Sequence, residues 1–319
     1  MKVFVSATSF GQGCPEVFTR LAEAGCEVST NPYGRPLTES ELIQALAGAD
    51  GFIAGVDRIT ANVLAETPQL KVISRYGVGV DGVDLAAATA HRIVVANTPG
   101  ANTESVADLA FGLFLALARR IPLADREVKG GKWPRLTGFD VWGQTVAVLG
   151  TGQIGRAVAR RAKAFGMEIL GYDVQRHPEI EQLGGTYVSL EEALARADFV
   201  TLHLPLLPQT RGIIGRDQLA LMKPTAFLVN TSRGGIVDED ALYEALTAGR
   251  LAGAGLDVYA TEPPSGSKLV ALENVIATPH SGAHTFGAMR RMAHQAVDNL
   301  LAVLKGERPA AVANPEVYA

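Results

Sequence analysis

VAVLGTGQIGRAVARRAKAFGMEILGYD, residues 146–173, is the stretch whose reading decides the fold. Val146–Leu149 is an apolar run of strand type, Gly150, Gly152 and Gly155 follow at G-x-G-x-x-G spacing, and Arg156–Phe165 reads as a helix. A second apolar run, Met167–Tyr172, ends on Asp173, eighteen residues after Gly155. Each glycine has a physical task in such a unit. One makes a tight turn, one lets the backbone approach a pyrophosphate, and one lets helix and strand pack closely, while the helix N-terminus offers free N–H groups to phosphate. An acid roughly 20 residues on accepts the ribose hydroxyls. The stretch therefore predicts a strand–helix–strand dinucleotide site with Asp173 on the ribose.

Outward from this stretch the same alternation continues. Towards the N-terminus, VFVSA, CEVST, GFIAG, KVISR and IVVAN read as strands, with helices ending near Ala24, over Glu39–Ala47 and near Ala61. Towards the C-terminus, ADFVTLHLP, TAFLVNTS, GAGLDVY and NVIATP read as strands, with helices near Leu190, near Asp217, over Asp238–Ala248 and over Ala283–Leu304. This is α/β layering around parallel sheets. Asn102–Arg120 reads as one long helix, suited to burial between domains or subunits and equally to a plain core. Ile121–Gln144, with its glycines, Pro134, Trp133 and Trp142, reads as a long irregular connection, and Lys305–Ala319 as a tail laid over the surface.

Composition narrows the class. A chain of 319 residues exceeds the size at which one core keeps growing, so two domains are expected. The formal charge of −4 argues against a nucleic-acid or membrane surface. Leu109–Ala118, the most apolar stretch, is too short for a membrane span, and Lys2 leads directly into a strand instead of a signal pattern, so a cytoplasmic protein is expected. Two cysteines, Cys14 and Cys26, make no disulfide framework, and no H-E-x-x-H or paired Cys/His spacing suggests a metal.

In parallel sheets, ligands bind beyond the carboxyl ends of strands. That rule selects His203, the loop Thr231-Ser232-Arg233-Gly234-Gly235, Asp257, Glu262 and His280. An arginine, a carboxylate and a histidine are the parts needed to oxidise a hydroxyl beside a carboxylate with a nicotinamide. Arg233 offers a bidentate fork, His280 exchanges the proton, and Glu262 fixes the imidazole if the two meet. Taken singly, each also has a structural reading: a strand-end cap, a solvated loop acid, a turn histidine.

NTSRGGIVDEDAL (230–242), GLDVYATEPP (255–264) and TPHSGAHT (278–285) resemble the three signature segments of the NAD-dependent D-2-hydroxyacid dehydrogenase family. RYGVGVDGVD, ANTPGANTESVADL, GKW and LGTGQIGRAVARR match in the same order, so the resemblance covers nearly the whole chain. It implies a Rossmann-type NAD-binding domain, residues 99–284, and a flavodoxin-like, discontinuous substrate domain, residues 1–98 and 285–319. It also implies a homodimer formed through the helix and loop of 102–144. Arg233, Glu262 and His280 take the family's catalytic places. The backbone N–H groups of Val78 and Gly79, in the Tyr76–Gly79 loop beside Arg75, take its carboxylate-binding place. Gln153, Ile154, Asp173, Leu204, Thr231 with Ser232, Asp257 and Gly282 correspond to cofactor contacts, and His203 lies in a cofactor-binding segment where its ring would wall the adenine.

Within the family, RYGVGVDGVD and GIVDEDAL look most like 3-phosphoglycerate dehydrogenases, as does Arg135 after GKW. One departure counts against a phosphorylated substrate: Ala54 stands where those enzymes carry an arginine after the third strand, with only Arg58 nearby. The expected order of substrates is phosphoglycerate first and glyoxylate or hydroxypyruvate second. A reading from another class is an NAD-sensing corepressor-like binding protein, which shares the fold. Asp173 favours NAD over NADP by repelling a 2′-phosphate, and Arg176 would soften that exclusion if it turned to the ribose.

Overall fold

The computed structural model describes all 319 residues, which form two compact units: Met1–Asn102 with Ala283–Ala319, and Thr103–Gly282. These divisions fall a few residues inside the expected 98/99 and 284/285, because Ala101 and Ala283 pack with Met289 and Met292 in the first unit. The first unit runs β1 (Lys2–Val5), α1 (Glu16–Glu23), β2 (Glu27–Thr30), α2 (Glu39–Leu46), β3 (Gly51–Ala54), α3 (Ala61–Ala65), β4 (Val72–Arg75), α4 (Leu85–Ala90) and β5 (Val94–Ala96). Its strands pair in parallel in the order β2-β1-β3-β4-β5. β3 and β5 are buried at every residue: β3 is a central strand, and β5, at the edge of the sheet, has its open side covered by Val312–Asn314.

The second unit opens with α5 (Thr103–Ala118) and α6 (Ile121–Lys129). It continues with β6 (Thr145–Leu149), α7 (Gln153–Ala164), β7 (Glu168–Tyr172), α8 (Pro178–Gln182), β8 (Thr186–Tyr187), α9 (Leu190–Arg196) and β9 (Phe199–Leu202). α10 (Arg216–Leu221), β10 (Phe227–Asn230), α11 (Glu239–Thr247), β11 (Gly253–Leu256) and β12 (Val275–Ala277) complete it. Its seven parallel strands lie in the order β12-β11-β10-β9-β6-β7-β8, so the chain reverses direction across the sheet between β6 and β9. The glycine loop follows β6 at that switch point, where open parallel sheets form their ligand crevice. Phe111, Leu113, Phe114 and Leu117 of α5 pack against Val148, Phe199, Phe227 and Val229, which makes α5 a core helix of its own unit.

One expectation is corrected here and one is sharpened. The long helix stops at Ala118, because Arg120 turns left-handed at φ 52°, and α6 then occupies the first third of the connection expected to be irregular. Pro122 in its first turn suits a helix start, where the missing N–H costs nothing. The tail lies over the surface as expected, but it is anchored there. α12 (Phe286–Leu304) returns to the first unit, where Ser74 Oγ donates to Ala296 O at 2.8 Å, and the chain beyond it is pinned. Asn314, 1% exposed, accepts from Val95 N at 2.8 Å and donates to Ile93 O at 2.9 Å, while Ala313 N donates to Val95 O at 2.7 Å. One buried amide that satisfies the edge of β5 thus locks a surface tail in place.

Candidate active site

The glycine loop is dictated by three different contacts. Gly150 sits at φ +93°, and a Cβ there would lie 2.6 Å from the carbonyl of His203. A Cβ on Gly155 would lie 2.0 Å from Gly150 O, so both positions are closed to any side chain by the protein itself. Gly152 differs: a Cβ there meets nothing within 4 Å, and it caps α7 with no side-chain hydrogen bond. An uncapped helix N-terminus beside a Cβ-sized space fits a pyrophosphate. α7 begins at Gln153, one turn earlier than its sequence suggests, so Gln153 and Ile154 lie in that first turn; Gln153 Oε1 accepts from Thr103 Oγ1 at 3.3 Å.

Asp173 stands at the end of β7, and its carboxylate accepts from Thr151 N at 2.6 Å, Thr151 Oγ1 at 3.2 Å and Gln175 N at 3.1 Å. The Tyr187 hydroxyl meets Thr151 Oγ1 at 2.8 Å and accepts from His177 N at 2.8 Å. Arg176 lies over the Tyr187 ring, 5.5 Å from its centroid. Thr151 is the first variable residue of the glycine motif itself, whereas Tyr187 has no motif to announce it and only the fold brings it to the loop.

At the ends of β9 and β10 lie His203, Leu204, Thr231 and Ser232, the last three each under 10% exposed. His203 Nε2 meets Thr201 Oγ1 at 2.9 Å. Its ring is enclosed although the residue keeps some surface, and burial drives its pKa down to about 3, which holds the imidazole neutral. His203 Nδ1 and Thr231 Oγ1 are buried with no partner, and buried polar atoms are rarely left so. These orphaned atoms, the Gly152 space and the Asp173 acceptor together suit a dinucleotide.

Asn230 shapes the turn that presents Arg233. Its Oδ1 accepts from Ser232 N at 3.0 Å and Ser232 Oγ at 2.8 Å, and its Nδ2 donates to Arg233 O at 2.8 Å. Arg233 NH1 donates to Ser232 O at 2.7 Å. Glu262 and His280, eighteen residues apart in sequence, meet at 2.8 Å between Oε2 and Nδ1. A carboxylate only accepts, so Nδ1 carries the hydrogen and Nε2 is left for other chemistry. The second oxygen of Glu262 accepts from Tyr259 N at 3.1 Å. Burial pushes the Glu262 carboxyl up, but the hydrogen bond and charge of His280, the Tyr259 N–H and the field of Arg233 outweigh it and hold it below the usual range.

His280 is one of three non-glycine residues with positive φ, at 51°, a conformation that persists only where its surroundings impose it. Asp257 supplies the constraint. It is 1% exposed; its carbonyl accepts from His280 N at 2.9 Å, while its carboxylate accepts from Thr278 Oγ1 at 2.6 Å, Ser281 N at 2.8 Å and Gly282 N at 2.9 Å. Gly282 O in turn accepts from Ser105 Oγ at 2.6 Å. Asp257 and Gly282, expected beside the cofactor, are thus also the scaffold of the His280 turn.

In the first unit, Arg75 Nε donates to Gly79 O at 3.0 Å and NH1 to Ala54 O at 2.9 Å. Tyr76 packs edge-on against Phe10, and its hydroxyl donates to Met289 O at 3.3 Å. Burial pushes the Tyr76 phenol up to about 12, so it stays protonated. The N–H groups of Val78 and Gly79 find no acceptor among the backbone carbonyls of their unit.

Comparison with known proteins shows the family. Residues 111–282 match the NAD-binding domain of the D-isomer specific 2-hydroxyacid dehydrogenases. A glyoxylate reductase of Korarchaeum cryptofilum is 45% identical over 88% of this chain and 88% of its own length. A D-3-phosphoglycerate dehydrogenase of Methanocaldococcus jannaschii is 46% identical over 92% of this chain, which spans only 56% of that protein. The crystal structure of the TT0316 protein from Thermus thermophilus superimposes with a TM-score of 0.90 and 43% identity, covering 98% of this chain and 100% of that one. No helix is long and apolar enough to cross a membrane. A chain with a dinucleotide loop at its switch point and an imidazole held by a carboxylate, matched over most of its length by such enzymes, belongs to the NAD-dependent D-2-hydroxyacid dehydrogenase family.

Proposed function

We propose that the chain reduces a small, unphosphorylated 2-oxo acid, glyoxylate to glycolate or hydroxypyruvate to the D-2-hydroxy acid. The observation that carries this reading is the end of β3: Ala54 offers no guanidinium, and Arg75 spends two donors on the carbonyls of Gly79 and Ala54. A phosphate without its fork loses strong charge-assisted hydrogen bonds, so the order of substrates expected from sequence is reversed. The glyoxylate reductase matched over most of its length favours the same order. A panel of glyoxylate, hydroxypyruvate and 3-phosphohydroxypyruvate with NADH tests it. Glyoxylate or hydroxypyruvate should lead in kcat/KM, and a tenfold preference for the phosphorylated acid would overturn the proposal.

When bound, NADH supplies the hydride to C2 of the keto acid. Gly150, Gly152 and Gly155 shape the loop for its pyrophosphate, Gln153 and Ile154 lie in the helix turn beside it, and Asp173 takes its ribose hydroxyls. His203, Leu204, Thr231, Ser232, Asp257 and Gly282 line the remainder. Arg233 directs its fork at the carbonyl oxygen and carboxylate. His280 gives the proton from Nε2 to the oxygen as it becomes a hydroxyl, and Glu262 stabilises the imidazolium before the transfer. Val78 and Gly79 receive the carboxylate on their N–H groups, with Arg75 and Tyr76 holding that loop.

Arg233→Lys keeps the charge and loses the planar fork. Expected is a fall in kcat/KM of about tenfold to a hundredfold, with NADH affinity little changed. Equal kinetics in parent and variant would remove the bidentate role. The proposal extends to a cytoplasmic homodimer: Trp133 and Trp142, 82% and 76% exposed, are large apolar side chains that a second copy would cover. Sedimentation at a mass of one chain would refute it.

A further inference from the structure

We infer that Asn97 is a positioning residue that aims the carboxylate receptor; the inference rests on the proposed reading of the Val78 and Gly79 amides as that receptor. In a trans peptide the carbonyl of one residue and the N–H of the next lie in one plane and point in opposite directions. Fixing a carbonyl therefore aims the following N–H. The three carbonyls of this loop are all fixed from behind. Gly77 O accepts from Thr98 N at 3.0 Å, Val78 O from Asn97 Nδ2 at 2.7 Å, and Gly79 O from Arg75 Nε at 3.0 Å. The first bond aims the N–H of Val78 and the second aims the N–H of Gly79, and a carbonyl that accepts a hydrogen bond leaves its own amide a stronger donor.

Asn97 is itself held. It follows β5 directly, and its carbonyl accepts from Nδ2 of Asn299 at 2.8 Å, a residue of α12 that is 4% exposed. The returning C-terminal helix thus reaches the substrate loop through a relay of two asparagine amides, with Asn314 fixing the other end of β5. Asn97 is the side chain that fixes the peptide carrying the Gly79 receptor N–H, while the backbone of its neighbour Thr98 fixes the one carrying the Val78 N–H.

Asn97→Ala and the isosteric Asn97→Asp, which replaces the donor by an acceptor facing Val78 O, provide the test. Glyoxylate KM and the dissociation constant of oxamate from the NADH complex should both rise about tenfold or more, with NADH affinity within about twofold of the parent. Val78→Pro, which deletes one receptor N–H outright, is the control for the underlying reading. If Val78→Pro weakens glyoxylate and oxamate while both Asn97 variants match the parent, the positioning role is overturned and the receptor stands. If none of the three affects either ligand, the receptor reading falls and takes this inference with it. A parallel loss of NADH and oxamate binding in both Asn97 variants marks a purely structural residue and also overturns the inference.

Discussion

Replacement of His280 by alanine should lower kcat for keto-acid reduction by about a hundredfold to ten-thousandfold, the range lost with a general acid, while NADH binding stays near that of the parent. The imidazole is held by Glu262 on Nδ1 and by the turn around Asp257, so its removal deletes the proton donor without touching the glycine loop. Stopped-flow reduction and NADH fluorescence titration separate the two quantities, and full turnover in the variant would exclude His280 from the reaction. Glu262→Gln supplies the companion pH test. The lowered Glu262 carboxyl sets the low-pH limb of the reduction profile, so its replacement by a neutral amide should remove that limb. At the acid end the sign is that of a depressed carboxyl: the ion pair is complete above the ordinary glutamate range and is lost as pH falls through the lowered value. An unchanged profile in Glu262→Gln would show that the pair does not tune the proton transfer.

Gly234→Ala is expected to be the most damaging single methyl group in the chain. Its Cβ would lie 1.9 Å from the carbonyl carbon of Tyr259, 2.1 Å from its oxygen and 2.3 Å from Ala260 N. Those are backbone atoms, so no rotamer relieves the clash. The segment that must move carries the Tyr259 N–H bond to Glu262 and the 2.6 Å bond from Ala260 N to Glu239. A stability loss of about 1–3 kcal/mol or more follows from overpacking, with kcat reduced about a hundredfold as Glu262 leaves His280. Thermal melting and turnover of the purified variant check both, and parent-like values would mean that the segment packs elsewhere. Gly152→Ala is the contrasting case. Nothing in the protein meets its Cβ, so melting should be unchanged while NADH affinity falls.

The two glycines show how far sequence reaches. The spacing of Gly150, Gly152 and Gly155 between an apolar run and a helix specified the dinucleotide loop, because turn, close approach and helix packing are local demands met within a few residues. The α/β alternation and the strand-end positions of Arg233, Glu262 and His280 were legible for the same reason. Gly234 lies in a readable motif, but the reason it must be glycine is Tyr259, twenty-five residues away, whose backbone it touches. α6 was hidden by the glycines and prolines around it, which mask a helix of nine residues whose side chains are nowhere buried.

Sequence by itself determined the fold class, the family and the identity of the chemical groups, since periodicity, glycine spacing and long motifs are properties of neighbouring residues. Tertiary structure alone decided how those groups are held. Asp257 under the His280 turn, Tyr187 against Thr151, Asn314 locking β5, and Asn97 behind the Val78 carbonyl are polar contacts between different segments of the chain. A single asparagine or threonine gives no periodic signal, and which buried N–H or carbonyl it must satisfy is set only when the sheets assemble.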